Sequence, residues 1–201
     1  MAISISPVRI ANMALSNIGA RSSIEAFSED TPEAQQVDLH YDFARRVSLE
    51  AFDWSFARKR QALAVHSLAA PEDMWGYRYQ YPSDCLICRK LVNPAGEDGD
   101  DVPFVVEMAS DGTKSILTDL SEATMIYTFD QIETSMFTTH FIRALSFALA
   151  QLIAYPLTGK LQLAQTMWDI FNILVMRAEA AQANEEKAKK PREAEWIRGR
   201  Q

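Results

Sequence analysis

The chain has 201 residues, 48% hydrophobic and 23% charged, with a net charge of −7. That balance suits a globular domain long enough to bury its core without staples, and two cysteines are too few for a disulfide scaffold. An acidic chain lacks the Lys and Arg excess that neutralises phosphates, so non-specific DNA binding is disfavoured.

The opening MAISISPVRI has neither the basic nor the apolar region of a signal peptide. The longest apolar stretch, Ala144 to Leu157, is broken by Ser146, Gln151 and Pro156. It falls short of the roughly 20 residues that cross a bilayer. Synthesis in a reducing cytoplasm and no membrane partner are expected.

Ser6-Pro7 is a helix start, and Val8, Ala11, Leu15 and Ile18 then recur at helical spacing before Gly19. A helix over 7–18 follows. Asp30-Thr31-Pro32-Glu33 opens a second helix over 31–52. Ala34, Val37, Tyr41, Ala44 and Ser48 mark one face, and Leu39, Phe43, Val47 and Phe52 widen it. So wide a stripe predicts cover on more than one side. Trp54 and Phe56 then anchor a basic run, Arg58-Lys59-Arg60.

Residues 77–129 are expected to form a small antiparallel β-region of four strands. Tyr77, Tyr79 and Tyr81 alternate on a strand that breaks at Pro82-Ser83-Asp84 and resumes from Cys85 to Val92. Pro103–Met108, Lys114–Thr118 and Ala123–Phe129 are the others, with a hairpin turn at Ser110-Asp111-Gly112-Thr113. Asn93 to Asp101 is an acidic loop.

Two further helices are predicted over 138–154, ended by Pro156, and 160–190, ended by Pro191. The last carries Ala164, Met167, Trp168, Phe171, Val175 and Ala178 as its stripe and is expected to leave the body beyond Ala178. The fold class is therefore α+β: a bundle of four main helices, a β-region inserted between the second and third, and an extended C-terminal tail. Residues 1–184 form the body and 185–201 the tail. The tail holds six basic and four acidic residues, a net +2, which leaves −9 on the body. A basic tail on an acidic body suggests docking.

Cys85 and Cys88 form a Cys-x-x-Cys pair, but a structural zinc site needs four ligands, and His40, His66 and His140 are scattered. Residues three apart on a regular strand face opposite sides, so the sulfurs should diverge and act as small hydrophobes. A thiol site remains the competing reading. Phosphate-binding loops, dinucleotide fingerprints and nucleophile elbows are missing from the sequence. No catalytic residue, cofactor or metal is expected. Arg58–Arg60 read as a solvated edge with stems on an aromatic; contact with nucleic acid is the alternative.

Several phrases line up in order: ANMALSNIG at 11–19, WSFARKRQALA at 54–64, YQYPSDCL at 79–86, ILTD at 116–119, and AYPLTG at 154–159. Over roughly residues 8–180 the chain resembles the tail tubular protein A family, the head-to-tail adaptors of short-tailed bacteriophages. The resemblance implies a structural protein, not an enzyme. It implies a ring, typically a dodecamer, between the portal protein and the tail nozzle protein, passing double-stranded DNA without gripping it. The place would be the virion connector. Cys85 matches the family pattern and Cys88 is an extra. The resemblance also implies that the C-terminal segment reaches the portal. Arg192, Trp196, Ile197, Arg198 and Arg200 are the expected docking residues, against the alternative of a tail with no role. The function classes that compete are a thiol oxidoreductase and a virion-associated cell-wall hydrolase.

Overall fold

The computed structural model describes residues 5–71, 74–93 and 102–185. The fold is mixed α+β, with four helices and two small antiparallel sheets.

Helix α1 is Pro7–Asn17, where the Ser6 hydroxyl accepts from Arg9 N–H and Gly19 turns the chain at φ 74°. Helix α2 is Pro32–Ala51, capped by the Thr31 hydroxyl on Ala34 N–H at 3.2 Å. Both starts place proline at the first turn, where its missing N–H costs nothing. Helix α3, Thr139–Thr158, is capped by Thr138 and closed by Gly159 at φ 68°. Helix α4 is Leu161–Glu185.

Helix α3 runs past the expected stop, with Pro156 inside its last turn. Proline removes only one hydrogen bond there, and the Gly159 N–H closes the end on the Tyr155 carbonyl at 2.8 Å. At 20 residues α3 is long and apolar enough to cross a membrane by length and composition, contrary to the sequence expectation. Its apolar surface is instead packed within the fold. Helices α1, α2 and α4 all lie against it, and Phe141, Ala144, Leu145, Leu149, Ile153 and Ala154 are fully buried.

The buried stripe of α4 is Ala164, Met167, Phe171, Leu174 and Ala178, a three-four alternation. Leu174 takes the place expected of Val175, and Trp168 stands beside the stripe, 40% exposed. The helix does not leave the body after Ala178. The Gln182 amide donates to the Asp53 carbonyl at 2.9 Å and its oxygen accepts from Ser55 N–H at 3.2 Å. The expected extension to residue 190 lies outside the described residues.

Among the described residues the strands number six, not four. They are β1 (Arg58–Ala62), β2 (Tyr77–Gln80), β3 (Cys85–Val92), β4 (Val105–Met108), β5 (Lys114–Thr118) and β6 (Thr124–Phe129). One sheet has the order β1-β6-β3 and the other β2-β5-β4. The β-region therefore begins at Arg58, because the basic run is an edge strand paired with β6. The break at Pro82-Ser83-Asp84 is where the chain crosses from one sheet to the other. Gly112, at φ 80°, closes the β4–β5 hairpin as expected. Most of the acidic loop, 94–101, lies outside the described residues.

The two sheets share one core of Tyr79, Ile116, Leu91, Ala123, Met125 and Tyr127. A second, larger core joins the four helices to Trp54, Ala57 and Phe137. Trp54, Phe56, Phe137 and Phe141 pack edge to face or tilted against one another there, with ring centroids 4.7–6.1 Å apart.

Candidate interaction surfaces

Strand β3 carries the Cys-x-x-Cys pair, and its register decides where the sulfurs go. Cys85 lies opposite Phe129, Cys88 opposite Tyr127 and Leu91 opposite Met125, with register shifts between Cys85 and Ile87 and between Cys88 and Lys90. Two bulges thus convert a period of two into a period of three. Cys85, Cys88 and Leu91 all face the β-core, so the expectation of divergent sulfurs is corrected. The bulged residues Leu86 and Arg89 turn the other way. Leu86 packs on the helical core. Arg89 donates to the carbonyls of Leu49, Glu50 and Phe52 at 2.9–3.2 Å and to the Thr128 hydroxyl at 2.9 Å. It thereby caps the C-terminus of α2, where orphan carbonyls carry the negative end of the helix dipole.

The two thiols sit on one face, but two rungs apart. That is about 7 Å between Cα atoms, at the upper end of what a disulfide spans. Burial pushes the Cys85 thiol up despite a Tyr81 hydrogen bond that favours its thiolate. Burial, then the neighbouring Cys85, pushes Cys88 up to about 12. Burial raises the Tyr81 phenol as well. Both thiols stay protonated at neutral pH, and a protonated thiol is a poor nucleophile and a poor ligand. Among the described residues no cluster of three His, Cys, Asp or Glu forms a metal site.

The basic run is spread over a strand edge. Arg58 pairs with Asp53 at 3.0 Å. Lys59 pairs with Asp84 at 2.6 Å and lies 4.0 Å above the Phe129 ring. Burial opposes ionisation of Asp84, but hydrogen bonds from Lys59 and the Tyr127 hydroxyl outweigh it and hold its carboxyl below the ordinary range.

A further polar string was missed in the sequence because its members are far apart in the chain. His66, only 8% exposed, accepts from Leu68 N–H at Nδ1. Its proton is therefore on Nε2, 2.8 Å from the Thr113 hydroxyl, which donates in turn to Asp111 at 2.6 Å. The residue types suggest a nucleophile relay, but the direction is reversed. The hydroxyl gives its proton to the carboxylate and receives one from the ring, so His66 is no base for Thr113. The string pins the β4–β5 turn.

One open surface is almost wholly apolar. Leu39 and Phe43 on α2 are 68% and 59% exposed, where the sequence predicted cover. Phe43 and Val47 form one wall of a groove whose other walls are Ala148 and Leu152 of α3 and Leu161, Ala164 and Trp168 of α4. The groove holds about 480 Å³. Met176 is exposed on the same side of α4 two turns from Trp168, with Asn172 between them. A second hollow of about 650 Å³, between α1 and α3, is lined by Met13, Asn17, Ile142, Arg143 and Phe147.

The expected docking residues Arg192, Trp196, Ile197, Arg198 and Arg200 lie outside the described residues. The chain matches no protein-family model and no curated protein.

Proposed function

We propose that this protein is a structural head-to-tail adaptor of a short-tailed bacteriophage, a ring subunit between portal and tail nozzle that gives DNA a passage. The finer reading of the fold goes with it: a helical bundle carrying the β-region as an insert, within the virion connector. The observation that carries the reading is the open α2–α4 groove. The α2 stripe is too wide for the cover that one chain supplies, and Phe43 and Trp168 stand open beside it. Contiguous apolar surface of that kind marks an interface. Identical copies in a ring meet through two different patches, and closure buries both. The acidic body suits a lumen that passes DNA without binding it.

Mixing the protein with its cognate portal and imaging by electron microscopy tests the proposal. A collar of subunits on the portal is expected, and Phe43→Glu should abolish it while leaving the subunit folded. No binding by the parent protein would refute the adaptor.

The shared facing of Cys85 and Cys88 is the one feature that favours a thiol enzyme. Their raised pKa values and their spacing speak against it. Ring assembly by a Cys85→Ser, Cys88→Ser variant is expected to equal that of the parent, and loss of a disulfide-exchange activity in that variant would reverse the reading.

A further inference from the structure

We infer that in the lone subunit the groove between α2, α3 and α4 is filled by the chain's own C-terminal segment, with Trp196 and Ile197 as the inserted side chains. The inference stands on the groove and the segment and does not depend on the adaptor reading.

The groove offers about 480 Å³ lined mainly by Phe43, Val47, Leu152, Leu161 and Trp168. That is the size range of sites that take one compact apolar group. Two glutamines, Gln151 and Gln165, supply its polar lining. The occupant should be an aromatic or branched side chain with a backbone able to meet an amide.

Residues 186–201 contain one adjacent apolar pair of that kind, Trp196-Ile197, within six basic and three acidic residues. The flanks of the groove carry both signs, with Arg46 and Lys160 exposed beside Val47 and Leu161 and Asp42 paired with Arg45 at 3.4 Å, but carboxylates stand next to its apolar walls. Asp38 and Asp42 on α2 and Asp169 on α4 are exposed beside Leu39, Phe43 and Trp168. Arg192, Arg198 and Arg200 bracket the apolar pair and would lie over these carboxylates.

Reach permits the contact. Trp168 lies 17 residues before Glu185, a helical distance of about 26 Å. Trp196 lies 11 residues after Glu185, an extended reach of about 36 Å. The slack of about 10 Å allows the chain to reverse. A tether of that length gives an effective concentration near the millimolar range, so even a weak site fills in cis ahead of another molecule. Capping in this way would keep the apolar groove covered in the free subunit.

The test uses the full chain labelled with 5-fluorotryptophan, which reports Trp54, Trp75, Trp168 and Trp196 separately by fluorine NMR. It is run at dilutions where sedimentation shows a monomer. Compared are the parent, a chain ending at Glu185, and full chains carrying Leu161→Glu or Phe43→Glu; both side chains are more than half exposed, so the fold survives. The Trp168 resonance is expected to move on truncation. Trp196 is expected to become at least about three-fold more accessible to a soluble paramagnetic quencher in both charge variants. An unmoved Trp168 on truncation, or equal Trp196 accessibility in parent and variants, would overturn the inference. So would a Trp168 shift that grows only with concentration, which would give the groove to a second copy.

Discussion

At the scale of single residues, the thiols and their neighbours make sharp predictions. A thiol whose folded pKa is raised adds stability that is whole below its ordinary value of 9.0 and is lost as pH climbs towards the folded value. The window is pH 9 to about 12, set by Cys88. Urea midpoints should fall across that range, and less steeply in Cys85→Ser, Cys88→Ser, where the thiols no longer titrate. Equal slopes would show that the thiols are not buried together. Asp84 works in the opposite sense. Its lowered pKa adds stability at neutral pH that disappears as pH falls below its ordinary 3.8. Asp84→Asn should cost under about 1 kcal/mol at pH 7, because the carboxylate is part exposed, and progressively less as the solution is acidified below pH 3.8. A cost that persists in acid would mean that the side chain acts by packing.

The same residues show where sequence reasoning holds and fails. Ser6 and Thr31 cap their helices as their positions before proline imply, whereas Thr138, read as the first residue of its helix, is the cap. Strand β3 misleads because two bulges replace alternation by a three-residue repeat, and no residue in CLICRKLV announces a bulge. The bulges are required by what lies outside the strand: Arg89 must reach α2 and Leu86 must reach the helical core.

At the scale of elements, helix ends carry the prediction. Gly159 has no atom within 4 Å of where a Cβ would stand, so its substitution tests backbone conformation alone. Gly159→Ala should lower stability by about 1 kcal/mol through its φ of 68°. Thermal unfolding measures it, and an unchanged midpoint would mean that the α3–α4 turn adapts. Helices were legible because capping chemistry and periodicity are local. The strand β1 was not, since RKRQA has an edge strand's composition without apolar alternation, and its pairing with β6 is set 66 residues away (from Arg60 to Ile126). Likewise the exposure of Leu39 and Phe43 could not be read from the stripe, which records that a side chain seeks cover and not what provides it.

At the scale of the whole molecule, two cores meet through few polar joints. Arg89 binds the end of α2, and buried Arg45 pairs with Asp130 at the end of β6 while donating to the Gln131 carbonyl at 2.9 Å. Truncating Arg89 removes its hydrogen bonds to three part-exposed carbonyls at the end of α2, at a cost of about 1–3 kcal/mol. Arg89→Ala with Arg45→Gln should split one unfolding transition into two, read by Trp54 fluorescence for the helices and amide exchange at β5 for the sheets. Coincident curves would show that packing across Leu86 already couples the cores.

The strand pairing also fixes an order of events during translation. Both β1 and β3 depend on β6, and both α1 and α2 depend on α3. The strands β2, β4 and β5 can pair among themselves as they emerge, but α1, α2, β1 and β3 leave the ribosome before the elements they pack on, and the two cores close only once β6 and α3 have followed.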